Sequence, residues 1–212
     1  MSRSYKGAQA IILKNNPLAT FSPCGCHSLN LSGAHSAECC AQVITLFGVV
    51  QKLYNLFSSS PQRWAILTTG IGCSLHNPSE TRWSARVDSV KPFAAHMPVR
   101  IMTALTQVQE LNLTPETRSD IAGMISYLST FKSILMASLW LKISTAINFR
   151  NLLLQAREAT LDVEVANIRD LIGDLKLLRS KWDEILSESK LVAESYDVEQ
   201  SLCLAKTKRK RR

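Results

Sequence analysis

Apolar residues recur at three- and four-residue steps through most of this sequence, and that spacing restricts the chain to helices packed on helices. From His27 to Ser58, Leu29, Leu31, Ala34, Ala37, Ala41, Ile44, Phe47, Val50, Tyr54 and Phe57 follow one helical stripe. Ser58-Ser59-Ser60-Pro61 ends it. Ser60 as cap and Pro61 at the first position start another helix over Pro61–Leu67. Gly70–Ser79 reads as loop. Thr81–Leu111 is again helical, with Pro92 and Pro98 expected to kink or divide it. Thr114-Pro115-Glu116 opens a further helical run to about Arg157. A last helix is expected from Val163 to about Tyr196, where Ile168, Leu171, Leu175, Leu178, Trp182, Ile185, Val192 and Tyr196 keep a near-heptad spacing broken only at Ser189. A neighbouring helix of the same chain is the favoured cover for that seam, and a second chain is the other. Before these helices, Tyr5–Lys14 is a short amphipathic helix stopped by Asn15-Asn16-Pro17, and Ala19–Pro23 is nearly the only good strand candidate.

With 212 residues and 46% of them apolar, the chain can bury a sizeable core. The longest apolar stretch, Ile134–Leu141, is far short of the ~20 residues a membrane helix needs, so no membrane partner is expected. The first residues, Met-Ser-Arg-Ser-Tyr-Lys-Gly, lack the apolar segment of a secretory signal, which points to an intracellular setting. In that setting Asn30-Leu-Ser and Asn112-Leu-Thr are chance matches to the glycosylation pattern, and the six cysteines do not imply disulfides.

The net charge of +8 is unevenly placed. Residues 1–109 carry +6, residues 110–205 carry −4, and the tail 206–212 carries +6 with no acid. A basic first half and a basic tail suggest a polyanionic partner and a nuclear address, with Lys206, Lys208, Arg209, Lys210, Arg211 and Arg212 as the import signal. A solvated surface with a solubilising tail is the plain alternative.

Three groups of residues invite chemical readings. Cys24, Cys26, His27, His35, Cys39 and Cys40 crowd into seventeen residues. Cys24 with His27 and His35 with Cys39 could supply two zinc-ligand pairs, but the spacing fits no standard finger, and buried small thiols are the other reading. No metal is assigned. A nucleophilic Cys24 or Cys26 beside His27 lacks a third orienting group. In Ser79-Glu-Thr-Arg-Trp-Ser-Ala-Arg86, Arg82 and Arg86 share a helical face next to Trp83. An aromatic plane between guanidinium groups suits a base with flanking phosphates; equally, Trp83 could anchor the helix to the core. The first half offers only Glu38, Glu80 and Asp88 as carboxylates, which make no two-metal site. Nor is there a Gly-rich phosphate loop or a Ser-elbow motif.

Several runs of sequence together resemble the hAT superfamily of transposases. They are Tyr5-Lys-Gly-Ala-Gln-Ala10, Asn16 to Leu31, Phe47-Gly-Val-Val-Gln-Lys-Leu-Tyr54, Ser60 to Leu67 and Ser79 to Arg86. The chain is most similar to the domesticated, transposase-derived part of zinc finger MYM-type protein 1-like proteins. The resemblance covers nearly the whole chain and is most specific at Cys24-x-x-His27-x-Leu29-Asn30-Leu31 and at Arg82-Trp83. It implies a mainly α fold: a fragment of an RNase H-like α/β fold with one or few short strands, followed by a helical insertion-type domain. The division expected is 1–67 partial RNase H-like region, 68–112 linker and Arg-Trp helical region, 113–200 helical bundle and 201–212 disordered basic tail. The family's three-carboxylate Asp-Asp-Glu site has no counterpart here: its second Asp precedes the stretch matching Ser2–Ala10, and no final Glu is evident. The resemblance therefore implies no enzyme activity and no cofactor. It also implies weak DNA binding in the nucleus, with Trp83 stacking on a flipped base, Arg82 beside it, and Cys24 and His27 on the DNA-facing surface; Arg86 joins them as the second arginine of the shared helical face. The alternative is a helical protein-interaction module in which the Ile168–Tyr196 seam forms a homo- or hetero-oligomer.

Overall fold

A computed structural model describes residues 7–21, 23–38, 40–72, 74–78, 83–96, 99–156 and 160–201. They form α1 (Ala8–Asn15), α2 (Gly25–Glu38), α3 (Ala41–Ser58), α4 (Pro61–Ile71), α5 (Trp83–His96), α6 (Val99–Gln109), α7 (Pro115–Leu128), α8 (Phe131–Leu154), α9 (Leu161–Ser180) and α10 (Trp182–Ser195). The fold is mainly α, and no strand occurs among the described residues.

Local signals set several boundaries. Ser60 accepts the Arg63 backbone N–H and Pro61 fills the first position of α4. Thr114 caps α7 in the same way, with Pro115 following, and Thr130 caps α8. Gly72, at φ 67°, ends α4 in the left-handed conformation that glycine adopts without strain.

Two expectations need correction, the strand and the single last helix, and two are refined. Ala19–Pro23 is not a strand where described (Ser22 lies outside the described residues), because a lone extended segment has no neighbour to accept its backbone hydrogen bonds. The stripe from His27 to Ser58 is two helices, since Cys40 is extended (φ −121°, ψ 116°) and starts α3 afresh. Pro92 does not divide α5, which runs through it to His96; the break comes before Val99, and Pro98 lies outside the described residues. The last helix is likewise two: Lys181, at ψ 21°, separates α9 from α10.

α8 is the hub. It is apolar on most sides, as a helix surrounded by others must be, and packs against α2, α3, α5, α7, α9 and α10. One buried cluster joins residues of α2 to α9, with Leu46, Leu53 and Phe57 of α3 and Ile101, Leu105 and Ile121 of α6 and α7 almost wholly excluded from solvent. A second cluster sets Phe131, Ile134 and Leu135 of α8 against Ile185 and Ala193 of α10. The Ile168–Tyr196 seam is thus covered by α8 of the same chain. Beyond Lys181 its phase changes: Trp182 and Val192 are 42% and 37% exposed, while Ile185, Ser189 and Ala193 point inward. Arg150 of α8 clamps α9, holding Asp174 through Nε and Nη2 at 3.1 and 2.7 Å and Asp170 through Nη1 at 3.0 Å. The Asp174 hydrogen bond, with both carboxylate charges, raises the guanidinium above its ordinary pKa against the opposing effect of burial. Among the described residues no single helix is long and apolar enough to cross a membrane.

Candidate functional site

The start of α2, the start of α5 and the last turns of α8 enclose a polar cleft of about 500 Å³. Its rim is formed by the exposed Cys24, His27 and Ser84, and by Leu152 and Gln155 at the end of α8. Its floor is formed by Cys26, Asn30, Asn148 and Asn151. Asn148 and Asn151 stand three residues apart on α8 and so share a face. Asn30 meets them from α2.

The floor is short of hydrogen bonds. The Oδ1 atoms of Asn30, Asn148 and Asn151 are all buried and have no partner, and Asn151 is only 3% exposed. Buried carboxamide oxygens are ordinarily satisfied, and each one left unmade costs about 1–3 kcal/mol. The carboxamide nitrogens are weakly engaged: Asn30 Nδ2 and Gln155 Nε2 donate to Cys26 Sγ at 3.8 and 3.4 Å.

Among the described residues no Lys, Arg, Asp or Glu lines the cleft. A Cβ on Gly25 would lie 2.8 Å from Glu164 Oε2, so a carboxylate of α9 already stands at the N-terminal end of α2, where the helix dipole favours it. No hydrogen bond joins His27 to a thiol among the described residues, and adjacent helical positions point about 100° apart. The geometry offers binding by neutral hydrogen-bonding groups. Among the described residues no three His, Cys, Asp or Glu side chains gather to hold a metal, and His35 Nδ1 lies 2.8 Å from Leu31 O. Cys39, one of the ligands weighed for zinc, lies outside the described residues.

The Arg-Trp segment reaches the cleft through Ser84, but Trp83 does not open into it. Trp83 is 2% exposed and lies against Gly33 of α2, so no indole face is open to a base. Arg86 is half-buried, with its guanidinium 5.0 Å from the Phe47 ring centroid and 5.3 Å from that of Trp83. Phe47 in turn meets Trp140 edge-on at 5.7 Å. Leu29 packs on the main core. Arg82 and the tail cations Lys206, Lys208, Arg209, Lys210, Arg211 and Arg212 lie outside the described residues.

The sequence-level reading thus named Cys24, His27 and Asn30 but missed Asn148, Asn151 and Gln155. The one available signal was a pair of carboxamides three residues apart, among Ile147, Phe149 and Leu152 near the end of α8. A second cavity, of about 640 Å³, lies between α2, α8 and α9, lined chiefly by Trp140, Ile143, Ile147, Leu175, Leu178 and Trp182. No protein-family profile, curated protein or solved structure matches the chain.

Proposed function

We propose that this chain is a non-catalytic, transposase-derived nuclear protein that contacts DNA weakly, its first part a remnant of an RNase H-like fold. The observation that carries the reading is convergence. Two segments far apart in sequence, Cys24–Asn30 and the Arg-Trp segment with Ser84, meet at one polar cleft. They are also the two most specific points of the transposase resemblance. The +6 charge of residues 1–109 supplies long-range attraction to phosphate on the same half of the chain. In this reading Trp83 positions α5 against α2 rather than stacking on a base, and His27 and Arg86 lie nearer the DNA.

Fluorescence anisotropy with a labelled hairpin-ended DNA tests it. Binding should be measurable at about 50 mM salt and fall steeply by about 200 mM, as counterion release requires. His27→Ala should weaken it a few-fold, and added Mg²⁺ should produce no cleavage. Absence of binding at low salt sinks the reading. A second reading, assembly with another chain, draws on the exposed Leu161, Val165 and Ile172 of α9. A monomer in sedimentation equilibrium removes it.

A further inference from the structure

We infer that the apolar cavity between α2, α8 and α9 binds a small amphiphilic carboxylate, its hydrocarbon body held between the helices and its anionic head at Arg179. α2 and α9 both pack on α8. Their first turns meet where Glu164 of α9 reaches Gly25 of α2. The cavity lies further along, by Gly33 and Ser36 on one side and by Leu175 and Arg179 on the other. Ser36 and Arg179 stand about 16 and 22 Å beyond that meeting point along their helices. The cavity therefore fills the gap between two helices that touch near their starts, and α8 is its floor.

The lining sets the chemistry of the occupant. Trp140 and Ile147 of α8 are buried at its base, and Ile143 and Leu175 are half-buried along its walls. A polar body would lose its water there without finding a partner, so the body must be apolar. The volume of about 640 Å³ falls in the range of small-molecule sites, about 300–1,000 Å³. Ser36, Arg179 and Trp182 are the exposed members of the lining and mark the mouth. Ser36 gives its hydroxyl proton to Ser32 O at 2.7 Å. Among the described residues Arg179 is the only charged group in the lining, and it makes no hydrogen bond or ion pair with any of them. A planar guanidinium beside an apolar chamber favours a carboxylate head over a neutral or cationic one. The exposed indole of Trp182 covers the body just inside the head. This assignment is independent of the DNA reading.

Isothermal titration of the full chain with decanoate, decanol and decyltrimethylammonium, each below its micelle concentration, tests it. The three share one tail and differ in head charge. Decanoate should bind saturably and about fivefold more tightly than decanol, the worth of one partly exposed charge pair, and the cation more weakly than either. Arg179→Gln should erase the preference for decanoate and leave decanol binding unchanged, which a merely structural role would not do. Ile143→Trp fills the chamber and should abolish binding of both while the helical circular dichroism is kept; Leu175→Trp repeats the test should that variant fail to fold. Equal affinity for decanoate and decanol, a preference that survives Arg179→Gln, tighter binding of the cation, no saturable binding, or unchanged binding in a folded filled variant overturns the assignment. A chain that dimerises in sedimentation equilibrium and becomes monomeric with Ile143→Trp makes the cavity a contact between copies, and overturns it as well.

Discussion

Gly33 is where the backbone of α2 gives way to the Trp83 ring. A Cβ at this position would run into Trp83 Cζ2 and lie 2.8 Å from Nε1. The side chain it meets is among the largest that the fold buries completely, so it has little room to retreat. Gly33→Ala should therefore destabilise the protein by about 1–2 kcal/mol: overpacking costs about 1–3 kcal/mol, and better helix propensity returns up to ~1 kcal/mol. Urea unfolding measures it, and an unchanged or higher midpoint contradicts the contact. Tyr127 poses the opposite problem. Its hydroxyl is buried without a partner, and burial pushes its pKa up to about 12. Between pH 10 and about 12 the unfolded chain gives up the phenol proton while the folded chain retains it, so stability falls with rising pH across that window and is unaffected by this group below it. Tyr127→Phe should raise stability at pH 7 by about 1 kcal/mol, by removing an unsatisfied group. It should also flatten the alkaline limb. A variant that is clearly less stable at neutral pH would mean that the hydroxyl is satisfied after all.

Among elements, the last two helices show how a single residue resets a pattern. A near-heptad running from Ile168 to Tyr196 predicts Trp182 and Val192 inside and a defect at Ser189. With the chain turned at Lys181, Ser189 is 1% exposed and donates to Ile185 O at 2.8 Å, and Trp182 is displaced to the rim of the apolar cavity. Ser189→Leu would perfect the written heptad, yet it should destabilise by about 1–3 kcal/mol, because the position is buried and small. Calorimetry decides: a stabilised variant would favour one continuous helix. The same contrast explains what was legible beforehand. Ser60-Pro61 and Thr114-Pro115 could be read because a cap acts within three residues. The mainly helical class could be read because the apolar period is local. Ala19–Pro23 misled because a strand exists only through its partners, and the heptad misled because its phase depends on the ψ of one residue. At the cleft, Cys24, His27 and Asn30 stood out as a compact motif, whereas Asn148 and Asn151 are ordinary carboxamides until α2 is folded against them.

For the whole molecule, the uneven charge decides how DNA could be met. Residues 110–205 carry −4 and include α7, α9 and α10, three of the six helices packed on the hub, so that side of the molecule repels phosphate. Residues 1–109 carry +6 and provide α2 and α5, whose first turns border the cleft. The tail 206–212 adds six further cations. If the body orients the DNA and the tail only adds attraction, removing residues 206–212 should weaken binding without changing the effect of His27→Ala. The salt dependence should also become shallower. Each lost phosphate contact lowers the slope of log affinity against log salt by about 0.9, so loss of all six contacts lowers it by roughly 5. Anisotropy titrations of both proteins over a range of salt give the two slopes directly. A slope that stays the same without the tail confines the tail to nuclear import, which a reporter fused to residues 201–212 would then have to show. A slope that falls to zero makes the tail the entire contact and takes the cleft out of the DNA-binding surface.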